Sequence, residues 1–401
     1  MTKLHFNYKD VFRALRLGFS AKKIWMMSLG SLVGLAGYSL LTYVAYLVAG
    51  TDLLTVWQNF RLLPFPLPLD YPFPWYAWIL FTVGLVFLLC AWLITGTAVS
   101  KVAYEQLRGD EFYESKEAFG FAFKNAAAVL TSPLLILAFV ALILVGGLVV
   151  SLLGAIPSVG EIFVGLLSPF AFIASLFIVY LLIVFLFSLL MGPSVIGATH
   201  SDTFDTLFEV FSCVNEQPGR LIWYTATVGF LAKAGSVLLG FASSAAGRIG
   251  YGILKVFMGA KLPDIMSNAS FYFKVILPDW WPQSLHQWFI TLANLLGLPQ
   301  IYLPGDYLSI GWNVDVASLL FGVCFYLVAL LLVGFGFSTW FSGMTLSYAV
   351  LAQKKDDKNI LDIPEDEEEL IEPVPNKELK DLAPKPTEPA GTDKAQDQTG
   401  T

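Results

Sequence analysis

The 401-residue chain is 56% apolar and only 14% charged, with a mean hydropathy of +0.67; a soluble protein carries about a quarter charged residues, so a soluble globular class is excluded. The net charge of −7 does not describe the body. Of 31 acidic and 24 basic residues, 14 and 7 lie beyond Gln353, which leaves 17 of each in the preceding chain.

Residues 1–23 form a basic, amphipathic leader with Lys3, Lys9, Arg13, Arg16, Lys22 and Lys23. Phe12, Leu15 and Phe19 fall near one helical face and the basic groups elsewhere, as in a helix lying in the membrane interface. The apolar run at 24–50 is too long for the core of a signal peptide and reads as a retained span. Five more candidate spans follow at 75–99, 126–153, 169–199, 221–242 and 316–350. Each reaches the roughly 20 residues that cross the hydrocarbon core. The expected fold is all-α and integral to the membrane, with six spans in a membrane domain at 24–352.

Lys and Arg near the span ends set the orientation. They crowd the leader, recur at Lys101, Arg108, Lys116 and Lys124, are absent from 154–168, and return at Lys354, Lys355 and Lys358. Both termini are therefore expected in the cytoplasm, with the protein in the inner membrane of a bacterium. The outer segment 62–76 holds Pro64, Pro66, Pro68, Pro72 and Pro74, too closely spaced for helix or sheet, and reads as an extended aromatic cover. The long outer loop 243–315 carries Trp280, Trp281, Trp288 and Trp312, with short interfacial helices expected at 283–298. The acidic, proline-rich segment 353–401 is too polar to bury a core and reads as a disordered cytoplasmic tail. Cys90, Cys213 and Cys324 read as buried, inert thiols.

Three polar-to-apolar junctions look alike: Ala14, Leu15 and Phe19; Ala118, Phe119 and Phe123; Thr206, Leu207 and Phe211. Each pairs a small residue with a large apolar one and a Phe four residues later, just before a span. They suggest three repeats of an interfacial helix plus a transmembrane hairpin around a pseudo-threefold axis. The stretch from Leu107-Arg108-Gly109 through Ser115-Lys116-Glu117-Ala118-Phe119 resembles junctions in uncharacterised bacterial multi-pass proteins. These are loosely related to the membrane domain that accompanies some glycerophosphodiester phosphodiesterases. The resemblance implies a six-span helical body and transfers no catalytic residue.

Lys233 is the sharpest candidate for a ligand-binding residue. The sequence places it near the middle of the fifth span, where an ammonium costs at least about 2.5 kcal/mol. It reads as an anion or headgroup site, as a snorkelling residue of a shifted span, or as a partner of Thr225 and Thr227. His200-Ser201-Asp202 cannot converge as a triad from one short segment and reads as a cap for the next helix. Asp202, Asp205 and Glu209 can share a helix face. Pro169 and Gly192-Pro193 read as span termini, and Gly334 and Gly336 as close-packing positions. With His5, His200 and His286 scattered and no phosphate-binding loop, no catalytic residue, metal site, cofactor or nucleic-acid partner is expected. The expected role is a non-enzymatic scaffold or accessory subunit. It would contact membrane lipids and other membrane subunits through the outer loop or acidic tail. The alternative is a transporter or lipid-handling protein using Lys233.

Overall fold

The computed structural model describes residues 4–60, 63–66, 73–272, 311–356 and 359–361, and these contain helices and no strand. In chain order the helices are α1 (Tyr8–Val11), α2 (Ala14–Gly18), α3 (Ala21–Val48), α4 (Leu53–Phe60), α5 (Trp75–Arg108) and α6 (Ser115–Lys124). They continue with α7 (Ala126–Gly154), α8 (Val159–Thr199), α9 (Thr203–Glu216), α10 (Pro218–Met258), α11 (Lys261–Tyr272) and α12 (Trp312–Asp356). Six of them, α3, α5, α7, α8, α10 and α12, are long and apolar enough to cross a membrane. Each expected span overlaps one of these six, and the chain is an all-α multi-pass membrane protein. The expectations for 283–298 and for most of 353–401 lie outside the described residues.

Two boundaries differ from expectation. α8 runs unbroken through Pro169 and Pro193, so these prolines do not end the span. A membrane helix tolerates proline where neighbours satisfy the backbone, and Gly192, Pro193 and Ser194 are all buried. α10 and α12, at 41 and 45 residues, are about twice the length a crossing needs.

The long helices pair in chain order, α3 with α5, α7 with α8 and α10 with α12. The second member of each pair meets the other two, so α5, α8 and α12 form a central triangle. The short helices close this arrangement: α6 packs on α5, α9 on α8 and α2 on α12. All three show one succession of environments over seven residues, two exposed, one buried, one half-buried, one exposed, one half-buried and one buried. The heptads run from Phe12 to Gly18, from Lys116 to Ala122 and from Phe204 to Val210. The buried pairs are therefore Ala14 with Gly18, Ala118 with Ala122 and Thr206 with Val210. Small or β-branched side chains at this four-residue spacing let each short helix sit close in its groove.

α2, α6, α9 and the C-terminal turns of α5, α8 and α12 gather at one end, the near end. Packing is tight there. Residues 341–352 of α12 are buried without a break, as are 95–105 of α5 and 191–198 of α8. Gly197 fits against the backbone of Ser100 and Lys101, where a methyl group would meet the Lys101 nitrogen at 2.9 Å. The hydroxyls of Ser100 and Ser194 lie 3.2 Å apart, and Ser194 donates to the Phe341 carbonyl at 3.3 Å, which joins the three central helices at one level. The C-terminal turn after α12 adds Ile360 and Leu361, both buried, and the Tyr104 hydroxyl donates to the Ile360 carbonyl at 2.8 Å.

At the far end the pairs differ. α3 and α5 are capped by α4 and by residues 63–66 of the proline-rich segment, whose positions 67–72 lie outside the described residues. Tyr38 and Tyr46 donate to the carbonyls of Pro64 and Phe65 at 2.6 and 2.9 Å, and Tyr46, Val56 and Phe60 form an apolar cluster. Asp52 starts α4: the Thr55 hydroxyl and the Leu54 amide donate to it and hold its carboxyl below the usual carboxylate range. α11 covers part of α12 through Leu262, Ile265 and Ala269. The outer halves of α7 and α8, joined by only 155–158, expose nearly every side chain. Of the three free thiols, Cys213 is buried, Cys90 is half-buried and Cys324 is exposed, so burial holds fully only for Cys213.

Candidate functional site

Lys233 lies on the outward side of α10. The inward stripe of that helix is Leu221, Tyr224, Val228, Ala232 and Gly235, and Lys233 is exposed beside Phe230 and Ala234. It bonds to neither threonine proposed for it. The Thr227 hydroxyl donates to the Trp223 carbonyl at 2.8 Å, and the Thr225 hydroxyl is buried without a partner. Its level along the bundle follows from the packing of α10 on α12. Val228 packs on Gly343 and Gly235 on Phe335, which places Lys233 level with about Ser338. Ser338 in turn donates to the carbonyl of Gly18, the last residue of α2, at 2.8 Å. Lys233 is thus level with the turn from α2 to α3, because α10 starts earlier and runs longer than the hydropathy minimum suggested.

A second polar constellation sits inside the near end, where the sequence showed only loop cations. Lys101 lies within α5, 5% exposed, and pairs with Glu105 at 2.7 Å one turn later; Arg108 approaches the same carboxylate at 3.7 Å. The Lys101 ammonium also meets Nε2 of His200, which follows α8 with a left-handed φ of 55°. It stands 5.1 Å from the ring centre of Phe121 and 5.4 Å from that of Tyr104, within cation–π range. Lys23, fully buried at the start of α3, donates to the Gln106 side chain at 2.9 Å, and Lys22 donates to the Tyr113 carbonyl. On the other flank Lys355 pairs with Glu209 at 2.8 Å, joining α12 to α9.

This chemistry is that of a clasp. The carboxylates of Glu105 and Glu209 are each engaged by a buried ammonium; the Lys101–Glu105 pair lies within α5 and reaches the end of α8 through His200, while Lys355–Glu209 joins α12 to α9. His200-Ser201-Asp202 behaves as expected of a cap: Asp202 accepts from the amides of Phe204 and Asp205, both at 2.9 Å. With Asp202 capping, Glu209 on Lys355 and Asp205 exposed, the three acids of this region do not converge. Among the described residues no three His, Cys, Asp or Glu side chains come together in a metal-holding group.

No protein family, curated protein or solved structure matches this chain. The residues alone carry the functional reading.

The sequence did hold a signal for the clasp. Lys101 and Glu105 stand four residues apart at the end of an apolar run, with aromatic Tyr104 between them, a spacing that suits an ion pair on one helix face.

Proposed function

We propose that this protein is a non-enzymatic accessory or scaffold subunit of a membrane complex. It resides in the cytoplasmic membrane of a bacterium, with the near end and both termini in the cytoplasm. It is built from three repeats of a short interfacial helix followed by a transmembrane hairpin. The cyclic packing of α6 on α5, α9 on α8 and α2 on α12, with the shared seven-residue pattern of environments, supports the repeat. The basic residues of the leader and of α6 support the sidedness.

The observation that carries the reading is the closed centre. Where a transporter needs a cavity reached from alternating sides, α5, α8 and α12 meet through Ser100, Ser194 and the Phe341 carbonyl, with Gly197 in backbone contact. The competing reading, a transporter or lipid-handling protein with Lys233 inside a cavity between units, needs that side chain to face the axis, whereas it faces outward. Long apolar faces remain for association: in the most apolar window of each long helix, no more than 33% of residues are buried within the chain. The acidic segment beyond Gln353 adds a second surface for partners.

Purification from native membranes in mild detergent tests this. A defined partner at constant ratio is expected. A reproducibly solitary chain that also drives solute flux in proteoliposomes would contradict it.

A further inference from the structure

We infer that His200 and Lys101 form a pH-sensitive latch between α5 and the junction of α8 with α9, closed while the His200 imidazole is neutral and released when it takes up a proton. The contacts fix the protonation states. Lys101 is 5% exposed and its ammonium pairs with the Glu105 carboxylate at 2.7 Å, so it carries its charge. The same ammonium meets Nε2 of His200. An ammonium has donors only, so Nε2 accepts through its lone pair and the ring proton sits on Nδ1. Protonation places N–H on both ring nitrogens, and Nε2–H would then point at a second donor of like charge. Imidazolium and contact exclude each other.

The groups packed around the ring reinforce this. α5 brings Lys101, Arg108 and Glu105, two cations to one carboxylate, with Arg108 3.7 Å from that carboxylate. The α6 side brings rings: Phe121 has its ring centre 4.6 Å from that of His200, and the Tyr113 ring stands 6.0 Å from the Lys101 ammonium. Lys116, Glu117 and Lys124 of α6 are exposed, and α7 carries no charged residue. At α9, Asp202 accepts from the amides of Phe204 and Asp205, Asp205 is exposed, and Glu209 holds Lys355 of α12. Lys354 of α12 is exposed. The carboxylate beside Lys101 is thus already shared by two cations, and a third at His200 is opposed.

Position makes the contact a latch. His200 is the left-handed residue that ends α8, with φ 55°, and Asp202 begins α9 two residues later. Holding the ring therefore holds the turn from which α9 departs. The imidazole is exposed, so a charged ring can rotate into water, while Lys101 keeps Glu105 on its own helix. Opening is local and leaves no buried charge stranded. Because the open junction takes up a proton more readily than the closed one, linkage keeps the latch closed above the ordinary histidine range, about pH 6.5, and opens it progressively below. The latch is independent of the accessory-subunit reading.

The test uses the full chain in nanodiscs and follows amide hydrogen exchange of residues 196–206 between pH 7.5 and pH 5.5, corrected for the intrinsic pH dependence of exchange. The wild type should lose protection there by at least about fivefold, since a proton excluded from the closed state is worth up to about tenfold per pH unit. His200→Gln keeps an acceptor for Lys101 and should hold its protection within about twofold at both values. His5→Gln/His286→Gln, which leaves His200 as the sole histidine, should respond as the wild type does. In that double variant, labelled with ¹⁵N-histidine, the ring at pH 7.5 should be neutral with its proton on Nδ1. A response that persists in His200→Gln, or a wild type with equal protection at both values, overturns the latch. So does an imidazolium, or a proton on Nε2, at pH 7.5, a result that needs no change at His200 itself.

Discussion

The two halves of α8 are made of different material and do different work. Residues 191–198, Met-Gly-Pro-Ser-Val-Ile-Gly-Ala, are all buried at the near end. Residues 162–187 are far more apolar, yet Ile162, Leu166 and Phe170 are 76%, 74% and 68% exposed. In water the order would be reversed. In a bilayer, lipid tails are as apolar as leucine, so greasiness drives no association, and small and hydroxyl-bearing residues mark where helices meet. The near end is a close-packed, polar-laced core, while the outer part of α7 and α8 is surface.

The strongest way to break this contrast is to place the same bulk in each half. Gly197→Val sets side-chain atoms against the backbone of Ser100 and Lys101 and should cost about 3 kcal/mol or more, or prevent folding. Gly146→Val meets nothing within 4 Å and should leave the thermal unfolding midpoint in detergent unchanged. Next in size is Glu105→Ala, which strands the buried Lys101 ammonium and should cost about 3 kcal/mol. Unfolding titrations of wild type and variant measure it, and Glu105→Gln should fall between the two. Ser194→Ala removes the hydroxyl that bridges the three central helices and should cost about 1 kcal/mol. Leu148→Ala, on the exposed face of α7, should stay within about 0.5 kcal/mol; a cost like that of Ser194→Ala would mean that the outer half is packed against protein.

The spans were legible because hydropathy and length respond to the bilayer itself. Their ends were less so. Pro169 and Pro193 punctuate a helix in water but sit inside α8: the Ser168 hydroxyl donates to the Gly165 carbonyl that exposed Pro169 leaves free, and Pro193 is buried among neighbouring helices. The apolar residues flanking Lys233 suggest mid-span, whereas the register of α10 on α12 sets it level with Gly18. That register depends on Gly235, Gly343 and their partners, which carry no distinctive pattern of their own. The junction at Ala14, Ala118 and Thr206 was visible as a short motif, and those three residues are fully buried. Two of its three Phe residues stay largely outside, Phe19 and Phe123 each 66% exposed, whereas Phe211 is half-buried beside Tyr180; the small residues are the positions buried in all three. The Lys101–Glu105 pair is local and legible from its four-residue spacing, but its contact with His200 needed α5 and α8 to be brought side by side, which no local spacing reveals.

Collision rates of nitroxide labels at Leu142, Leu148, Ile162 and Leu166 in proteoliposomes test the division most directly, since all four are more than half exposed. Frequent collision with dissolved oxygen and little with a water-soluble nickel chelate, at every one of the four sites, is the predicted result, the signature of side chains bathed in lipid. Low oxygen collision at these positions would place them inside protein, high nickel collision would place them in water, and either would contradict the account.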